Sequence, residues 1–345
     1  MDGGDAHKQV AEKGAMDFAT TIRFLKFCLN VLSSKYEAQE VNRLTLAYFV
    51  INALNVLGQL HVVDKAKTIA WIYSLQVVPD AAAPEHNAKN FGFRGSPFYG
   101  TKYNPQCHSL GPVAEHDQGH LAMDYCALSL LKVLGDDLSR VNARALLQGV
   151  RLLQQKDGSF SPVSGGSEND MRFVYCAAAV CSMLGDFAGM DVELATAFIK
   201  ASQRYDGGFS QGGSRESHGG STYCAVAALS LMGRLETAVD VPALIDWLSA
   251  RQMSGFQGRV NKVPDSCYGF WCGASLKLLG VFDAVVERDN LSGFVRSCGG
   301  PQGGFGKHPD AHPDVLHTYY SLCALSMCGT PGLVPINAQL GISLP

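Results

Sequence analysis

The sequence predicts an all-α fold of about six helical hairpins, and two periodicities carry that prediction. Four Gly-rich stretches, "QQKDGSFSP" at 154–162, "SQRYDGGFSQG" at 202–212, "ARQMSGFQGR" at 250–259 and "CGGPQGGFGK" at 298–307, share a phenylalanine. These residues, Phe160, Phe209, Phe256 and Phe305, stand 49, 47 and 49 apart, and a weaker member, "NFGFRGSP", centres on Phe93. After each comes a run rich in Cys, Ala and Leu, in which Cys126, Cys176, Cys224 and Cys272 fall 50, 48 and 48 apart. A period near 48 holds two helices and two connections, so each unit reads as loop, inner helix, turn and outer helix.

The elements follow in chain order. "RLTLAYFVINALNVLGQL" at 43–60 is an inner-type helix and "DKAKTIAWIYSLQVV" at 64–78 its outer partner. "MDYCALSLLKVLG", "RFVYCAAAVCSMLG", "STYCAVAALSLMG", "GFWCGASLKLLG" and "HTYYSLCALSMCG" are the later inner helices. Their small residues allow close packing, and the Gly that ends each run is a helix stop. "VNARALLQGVRLLQQ", "DVELATAFIKASQR" and "VPALIDWLSARQ" carry apolar residues at three-to-four spacing, the mark of an outer helix with one buried face. The period alone leaves two architectures open, a stacked solenoid and a closed ring. In a ring, the inner helices surround a cavity and the Gly-rich loops gather near one rim.

Composition narrows the class. With 345 residues, 47% of them hydrophobic, the chain can bury a large core. A net charge of -3 gives no basis for a nucleic-acid surface. The opening "MDGGDAHKQVAEKG" lacks an apolar signal core, and no uninterrupted apolar stretch reaches 18 residues, so no membrane span is expected. The 11 cysteines do not form a dense secreted-type framework. The expectation is a soluble cytoplasmic protein with reduced thiols.

The informative polar residues cluster where Gly-rich loops enter inner helices. "SENDMRFVYC" supplies Arg172, "GSRESHGGSTYC" supplies His218, and "GRVNKVPDSCYGFWC" supplies Arg259, Lys262, Asp265, Cys267 and Tyr268. "GKHPDAHPDVLHTYY" supplies Lys307, His308, His312, Asp314 and His317. Asp265, Cys267 and a histidine offer O, S and N donors that suit zinc with one open position. His317 fits best because it begins its helix in register with Cys267. The plainer account is that Asp265 caps a helix and Cys267 is one more buried thiol. Arg259, Lys262, His218 and Lys307, with the Tyr268 hydroxyl, would suit a diphosphate, although each alone reads equally as surface charge.

These stretches resemble the protein prenyltransferase β subunits, and among them the type I geranylgeranyl enzymes. "VNKVPDSCYGFWCGASLKLL", "GSENDMRFVYCA", "ESHGGSTYCAVAAL", "DGSF", "HPDVLHTYYSLCALSM", "NRLTLAYF", "WIYSLQV" and "LGDDLSRVN" carry the resemblance, which covers about residues 20–330. It implies a closed α-α barrel of six hairpins as a single domain over 20–330. A disordered tail is expected at 1–19 and a C-terminal tail at 331–345. It implies one zinc ion (Zn2+) per heterodimer on Asp265, Cys267 and His317, with Lys307 and Tyr268 also in the catalytic set. Geranylgeranyl diphosphate would be held by His218, Gly219, Gly220, Arg259, Val260, Asn261, Lys262, Tyr268, Gly269, Phe270, Trp271 and Lys307. The lipid would run past Thr45, Phe49, Tyr175, Cys224 and Trp271, and Arg172 would line the peptide site.

The implied reaction moves a geranylgeranyl group to the cysteine thiol of proteins ending in a Cys-a-a-X motif, with X usually Leu or Phe. The implied partners are an obligate α subunit and substrates such as Rho/Rac/Rap-type small GTPases and G-protein γ subunits. Thr45 stands where farnesyl enzymes carry a Trp, and Lys307 where they carry an Asp that helps hold magnesium (Mg2+), so transfer is expected to need no magnesium. Ser266 and Gly269 depart from the usual "DTCYSFW". A farnesyl or Rab-type β subunit is the nearest alternative. A non-catalytic helical scaffold and a terpene cyclase of toroidal shape are the alternatives of other kinds. The first would lack a zinc ligand or Arg259, and the second would need an Asp-rich cluster that the chain does not show.

Overall fold

The computed structural model of the protein describes residues 17–79, 87–97, 118–166, 168–213 and 215–344. Most of the expected N-terminal tail lies outside them. Twelve principal helices are present among the described residues. They are α1 (Ala19–Asn30), α2 (Arg43–Val56), α3 (Lys65–Ser74), α4 (Leu121–Val133), α5 (Ala143–Leu153) and α6 (Met171–Leu184), followed by α7 (Val192–Ala201), α8 (Gly219–Leu231), α9 (Val241–Ser249), α10 (Tyr268–Leu278), α11 (Arg288–Ser297) and α12 (Val315–Met327). Even-numbered helices are inner and odd-numbered helices outer. The inner helices pack in the order α2, α4, α6, α8, α10, α12 and back to α2, so the ring is closed.

Local chemistry sets these boundaries. Asp64, Asn142, Asp191 and Asp240 cap the outer helices α3, α5, α7 and α9, each accepting from a backbone N–H three residues on. The inner helices α4, α6, α8 and α12 are capped in turn by His120, Asp170, His218 and Asp314. All six inner helices end at a glycine with positive φ: Gly58, Gly135, Gly185, Gly233, Gly280 and Gly329. A side chain there would be strained, so the "LG" signal reads as a left-handed stop.

One clamp repeats between units. Gln154, Gln203 and Gln252 each donate to and accept from a single backbone residue at the start of the next outer helix, namely Asp191, Asp240 and Glu287, at 2.7–3.1 Å. Each also faces the repeat phenylalanine across its loop, at Phe160, Phe209 and Phe256. Gln76 faces Phe93 in the same way, within the two-stranded pair of β1 (Gln76–Val77) and β2 (Gly92–Phe93). The five phenylalanines are at most 1% exposed. Burying a phenylalanine contributes about 1.5–3 kcal/mol, which makes this row a principal anchor of the barrel.

Closure uses the same contact as the repeat. Gly158 and Gly207 lie so close to the first turn of α7 and α9 that an added Cβ would meet the Leu194 and Ala243 carbonyl oxygens at 2.1 Å. Gly303 meets Thr20 of α1 in the same way, at 2.2 Å. The N-terminal helix α1 therefore serves as outer partner of the last inner helix, which has no outer helix after it. In the chain every other outer helix follows its inner one, so the order of elements alone does not show this pairing.

The C-terminal segment requires a correction. Residues 331–345 read as a tail apart from the barrel, yet the described part enters it. Leu340 and Ile342 are buried, and the backbone is tied to α2 and α12 through Val334 N–H to the Val56 carbonyl (2.8 Å) and Ser326 Oγ to the Val334 carbonyl (2.7 Å). The segment is not helical and shows no repeat. The sequence patterns that revealed the hairpins therefore did not reveal it.

Candidate active site

The entrance to α10 is built differently from its neighbours. Gln257 donates from Nε2 to the Lys262 carbonyl (2.6 Å) and closes a turn in which Asn261 adopts φ 59°. Asparagine tolerates this left-handed conformation better than most residues. The turn holds Arg259, Val260, Asn261 and Lys262 at the rim. Arg259 pairs with Glu216 at 3.3 Å, and Lys262 has no ion pair among the described residues.

Asp265 then turns inward and is buried. Its Oδ1 accepts the Cys267 backbone N–H at 3.0 Å, while the Cys267 side chain caps nothing. Ser266 joins this corner to the last loop, with its N–H on the Lys307 carbonyl (2.8 Å) and its Oγ on the Gly306 carbonyl (2.7 Å). That staple brings Lys307 Nζ to 3.7 Å from Asp265 Oδ2. His317, in the first turn of α12, donates from Nδ1 to Asp314 Oδ2 at 2.6 Å, and its Nε2 lies 3.5 Å from Asp265 Oδ1.

One donor atom each of Asp265, Cys267 and His317 lies within 4.8 Å of the others. Burial, then the nearby Asp265 charge, pushes the Cys267 thiol well above its ordinary value. Burial opposes a charged His317, but Asp265 and Asp314 outweigh it and raise the imidazole to about 9. Burial also opposes an ionised Asp265, yet hydrogen bonds from His317 and Cys267 hold its carboxyl below the usual range. An anion, a soft sulfur and an imidazole thus share one buried corner in which the arrangement favours positive charge. The O, S and N set fits zinc, and the Asp314 carboxylate fixes the His317 tautomer so that Nε2 faces the corner. By sequence Asp314 is one more entrance residue of the "GKHPDAHPDVLHTYY" stretch. Its orienting role follows from contacts that spacing does not encode.

A hydroxyl–imidazole pair adjoins this corner, because Tyr268 follows Cys267 directly. Its hydroxyl lies 2.8 Å from His218 Nε2. His218 Nδ1 accepts the Gly220 and Ser221 N–H groups at 3.1 and 3.4 Å, which leaves the ring proton on Nε2, aimed at the Tyr268 oxygen. The tyrosine proton is then available to another acceptor. Burial, then the Arg259 charge, lowers the His218 pKa, so His218 is a neutral donor. Of the four residues expected to face a diphosphate as basic groups, His218 is therefore corrected to a neutral donor, while Arg259 pairs with Glu216 and Lys307 lies beside Asp265. Gly219 and Gly258 make room for the Tyr268 ring, since a Cβ would meet it at 2.9 Å from the first and 2.2 Å from the second.

The inner wall is aromatic. Phe49 and Tyr175 are buried, and Trp271 stands with its ring centroid 4.3 Å from Tyr320 and 5.1 Å from Tyr223. Cys224 is buried at the matching level of α8. Phe270 stacks on Tyr320 at 4.9 Å. Thr45 donates to Met123 Sδ at 3.2 Å and accepts from Cys126 at 3.9 Å, which places its small side chain beside α4. Arg172 is half-exposed at the α6 entrance, engaged by Asp170 and Glu168.

A profile of the Prenyltransferase alpha-alpha toroid domain matches residues 16–342. The chain belongs to the prenyltransferase family. It is 42% identical over 340 residues to Geranylgeranyl transferase type-1 subunit beta of Arabidopsis thaliana, covering 94% of this chain and 88% of that protein. It is 36% identical over 330 residues to the protein of the same description from Dictyostelium discoideum, covering 93% of each. Among solved structures, "Candida albicans protein geranylgeranyltransferase-I complexed with GGPP" matches with a TM-score of 0.82 at 25% identity, covering 95% of this chain and 96% of that one.

The departures of this prenyltransferase from its family's usual sequence now have physical readings. Ser266 uses its hydroxyl in the staple to Gly306. Gly269 lies against α12, where a Cβ would stand 2.9 Å from the Ala324 methyl and 3.2 Å from Leu291 Cδ1. A serine there would require the helices to part. Tyr48, Tyr125, Tyr223, Tyr319 and Tyr320, absent from the predicted set, complete the aromatic wall; all but Tyr320 share a repeat position with Tyr175, a periodicity that would have revealed them. No helix among the described residues is long and apolar enough to cross a membrane.

Proposed function

We propose that this chain is the catalytic β subunit of a heterodimeric type I protein geranylgeranyltransferase. The observation that carries the reading is the adjacency of two sites, with the Asp265–Cys267–His317 corner sharing a helix entrance with the Tyr268–His218 donor pair. Asp265, Cys267 and His317 would hold one zinc ion. When bound, that ion supplies a Lewis acid that favours the thiolate form of a substrate cysteine at neutral pH.

The chain's own residues do the rest. Arg259 and Lys262 bind the diphosphate at the rim, and Tyr268 donates its free proton to an oxygen that gains negative charge as the carbon–oxygen bond breaks. His218 holds that hydroxyl in place. The sulfur bonds to C1 of the lipid, and pyrophosphate departs with the bonding electron pair. Lys307 places a fixed ammonium where a divalent ion would otherwise act, so transfer proceeds without magnesium. Gly219 makes room for the Tyr268 ring, Gly220 gives its N–H to His218, and Gly269 lets α10 pack close against α11 and α12; Phe270 and Trp271 line the lipid, with Phe49, Tyr175 and Cys224. Thr45 leaves space for a fourth isoprene unit. Arg172 faces the peptide.

The α subunit is a separate chain, and the acceptors are proteins ending in Cys-a-a-X with Leu or Phe last, such as Rho/Rac/Rap-type GTPases and G-protein γ subunits. The test is co-expression with an α subunit, then assay with farnesyl and geranylgeranyl diphosphate on peptides ending in Leu or Ser. The reading expects geranylgeranyl transfer to the Leu peptide to dominate. Dominant farnesyl transfer to the Ser peptide would assign the chain to the farnesyl branch, and no transfer to any thiol would overturn the enzymatic reading.

A further inference from the structure

One repeat position at the rim carries a carboxylate in three successive units. Glu168, Glu216 and Asp265 each stand two residues before the cap position of an inner helix, which is held by Asp170, His218 and Cys267. They are 48 and 49 residues apart. Each faces a basic group. Glu168 pairs with Arg172 of its own stretch. Asp265 reaches the next loop, where Lys307 Nζ and His317 Nε2 lie 3.7 and 3.5 Å away. Glu216 also reaches the next loop, and its partner there is Arg259, with Nη1 3.3 Å from Oε2.

Backbone and buried neighbours fix where this pair stands. Ser217, directly after Glu216, is buried, and its hydroxyl donates to Asp206 Oδ1 at 2.6 Å. Asp206 is itself held by Trp247 Nε1 at 3.1 Å. The His218 N–H donates to the Phe209 carbonyl at 2.9 Å, and the Gly219 N–H to the Gly258 carbonyl at 2.8 Å, one residue before Arg259. The two loops are therefore stapled together. The charged side chains are not, since Arg259 and Glu216 are 43% and 53% exposed. An ion pair this open to water is weak, so it parts at small cost when a stronger anion arrives.

We infer that Glu216 is a resident counter-ion that Arg259 exchanges for the diphosphate, and that it hastens the departure of pyrophosphate by taking the guanidinium back. This rests on the proposed function, which places the diphosphate at Arg259 and Lys262. Glu216 is the carboxylate of the three suited to exchange. Asp265 is buried and holds the Cys267 N–H, and Arg172 keeps the buried Asp170 whenever Glu168 leaves it. Breaking the carbon–oxygen bond leaves pyrophosphate with one negative charge more than the ester carried. Fixed cations alone would therefore hold the product more firmly than the substrate. A carboxylate within reach of Arg259 weakens the site's hold on both anions. It also gives the guanidinium a partner as the product contact breaks, so that charge is never left unpaired.

The test uses the α-paired enzyme in magnesium-free buffer, with inorganic pyrophosphate as the probe and calorimetry as the readout. Glu216→Gln keeps the shape of the side chain and removes its charge. Pyrophosphate should bind this variant about three- to fivefold more tightly than wild type, and its dissociation, followed by stopped flow, should slow by a similar factor. In an Arg259→Gln background the same substitution should change affinity by less than about 1.5-fold, because charges that do not touch are screened by salt. Equal pyrophosphate affinity in wild type and Glu216→Gln, with lipid transfer intact, overturns the inference and leaves the proposed function standing. Equal tightening with and without Arg259 also overturns it, because that result marks plain repulsion and not exchange. A wild-type enzyme that binds neither pyrophosphate nor geranylgeranyl diphosphate would count against the proposed function itself, and the exchange would fall with it.

Discussion

The entrances to α8 and α10 occupy the same place in the repeat and do different work. At α8 the His218 side chain caps two backbone N–H groups, as His120, Asp170 and Asp314 cap their own helices. At α10 the residue in the cap position is Cys267, and its side chain caps nothing. The backbone compensates. Tyr268 and Gly269 donate to the Asp265 and Ser266 carbonyls, and Asp265 Oδ1 takes the Cys267 N–H. A repeat position becomes available for chemistry when neighbouring atoms take over its structural task. Asp265 does so with one oxygen while facing the metal corner with the same carboxylate.

The sharpest way to break this comparison is to remove each cap-position side chain in turn. Cys267→Ala should lower transfer by about a thousandfold or more, because a metal ligand is lost, while stability changes by no more than about 1 kcal/mol. His218→Ala should lower transfer by only about ten- to a hundredfold, through the unsupported Tyr268 hydroxyl, and lower stability by about 1 kcal/mol through the lost cap. Steady-state transfer and urea unfolding of the two heterodimers check both halves. Equal losses of transfer in the two variants would erase the distinction between the entrances.

A smaller effect is expected one residue shell away. Asp314→Asn keeps an oxygen to cap α12 but withdraws the charge from His317 Nδ1. Zinc affinity should fall about ten- to a hundredfold, measured by competition with a chelator, with the fold intact. Lys307→Asp should slow transfer about tenfold and make it respond to added magnesium, whereas the wild-type rate should be indifferent to it. A wild-type rate that collapses when magnesium alone is removed would contradict the role given to Lys307.

The smallest effect concerns a third use of one repeat position. Thr222 and Thr318 accept the N–H of Phe209 and Phe305, and at α4 the acceptor of the Phe93 N–H is Asp124. Burial pushes its carboxyl up to about 8, against the opposing Phe93 hydrogen bond. The native state keeps a proton that the unfolded chain releases near pH 4, so this residue's contribution to stability declines as pH rises from about 4 to 8. Asp124→Asn keeps an acceptor and should flatten that part of the slope. Urea midpoints of both proteins at pH 5 and pH 8 would show it, and parallel slopes would rule it out.

Much of this was legible in the sequence because a repeat writes its plan several times. The Phe and Cys periods located the hairpins, and the register of Cys267 with His317 pointed to two members, far apart in the chain, of the cluster that could hold a metal. What escaped the sequence depended on closure or on direction. Helix α1 partners α12 because the ring joins the two ends, and the C-terminal segment has no periodic signature of its own. By residue type His218 reads as a cation, yet the cap on Nδ1 and its burial make it a neutral donor. Asp314 is indistinguishable from an ordinary cap until its second oxygen is seen on His317.

The most direct test of the central claim, that the α10 entrance was freed to hold a metal, is the zinc content of the purified heterodimer by elemental analysis. The comparison is between wild type and the single variants Asp265→Ala, Cys267→Ala and His317→Ala. The account predicts one zinc per wild-type heterodimer and a large loss in each variant, with binding of the lipid diphosphate retained. Full zinc in all three variants would contradict it.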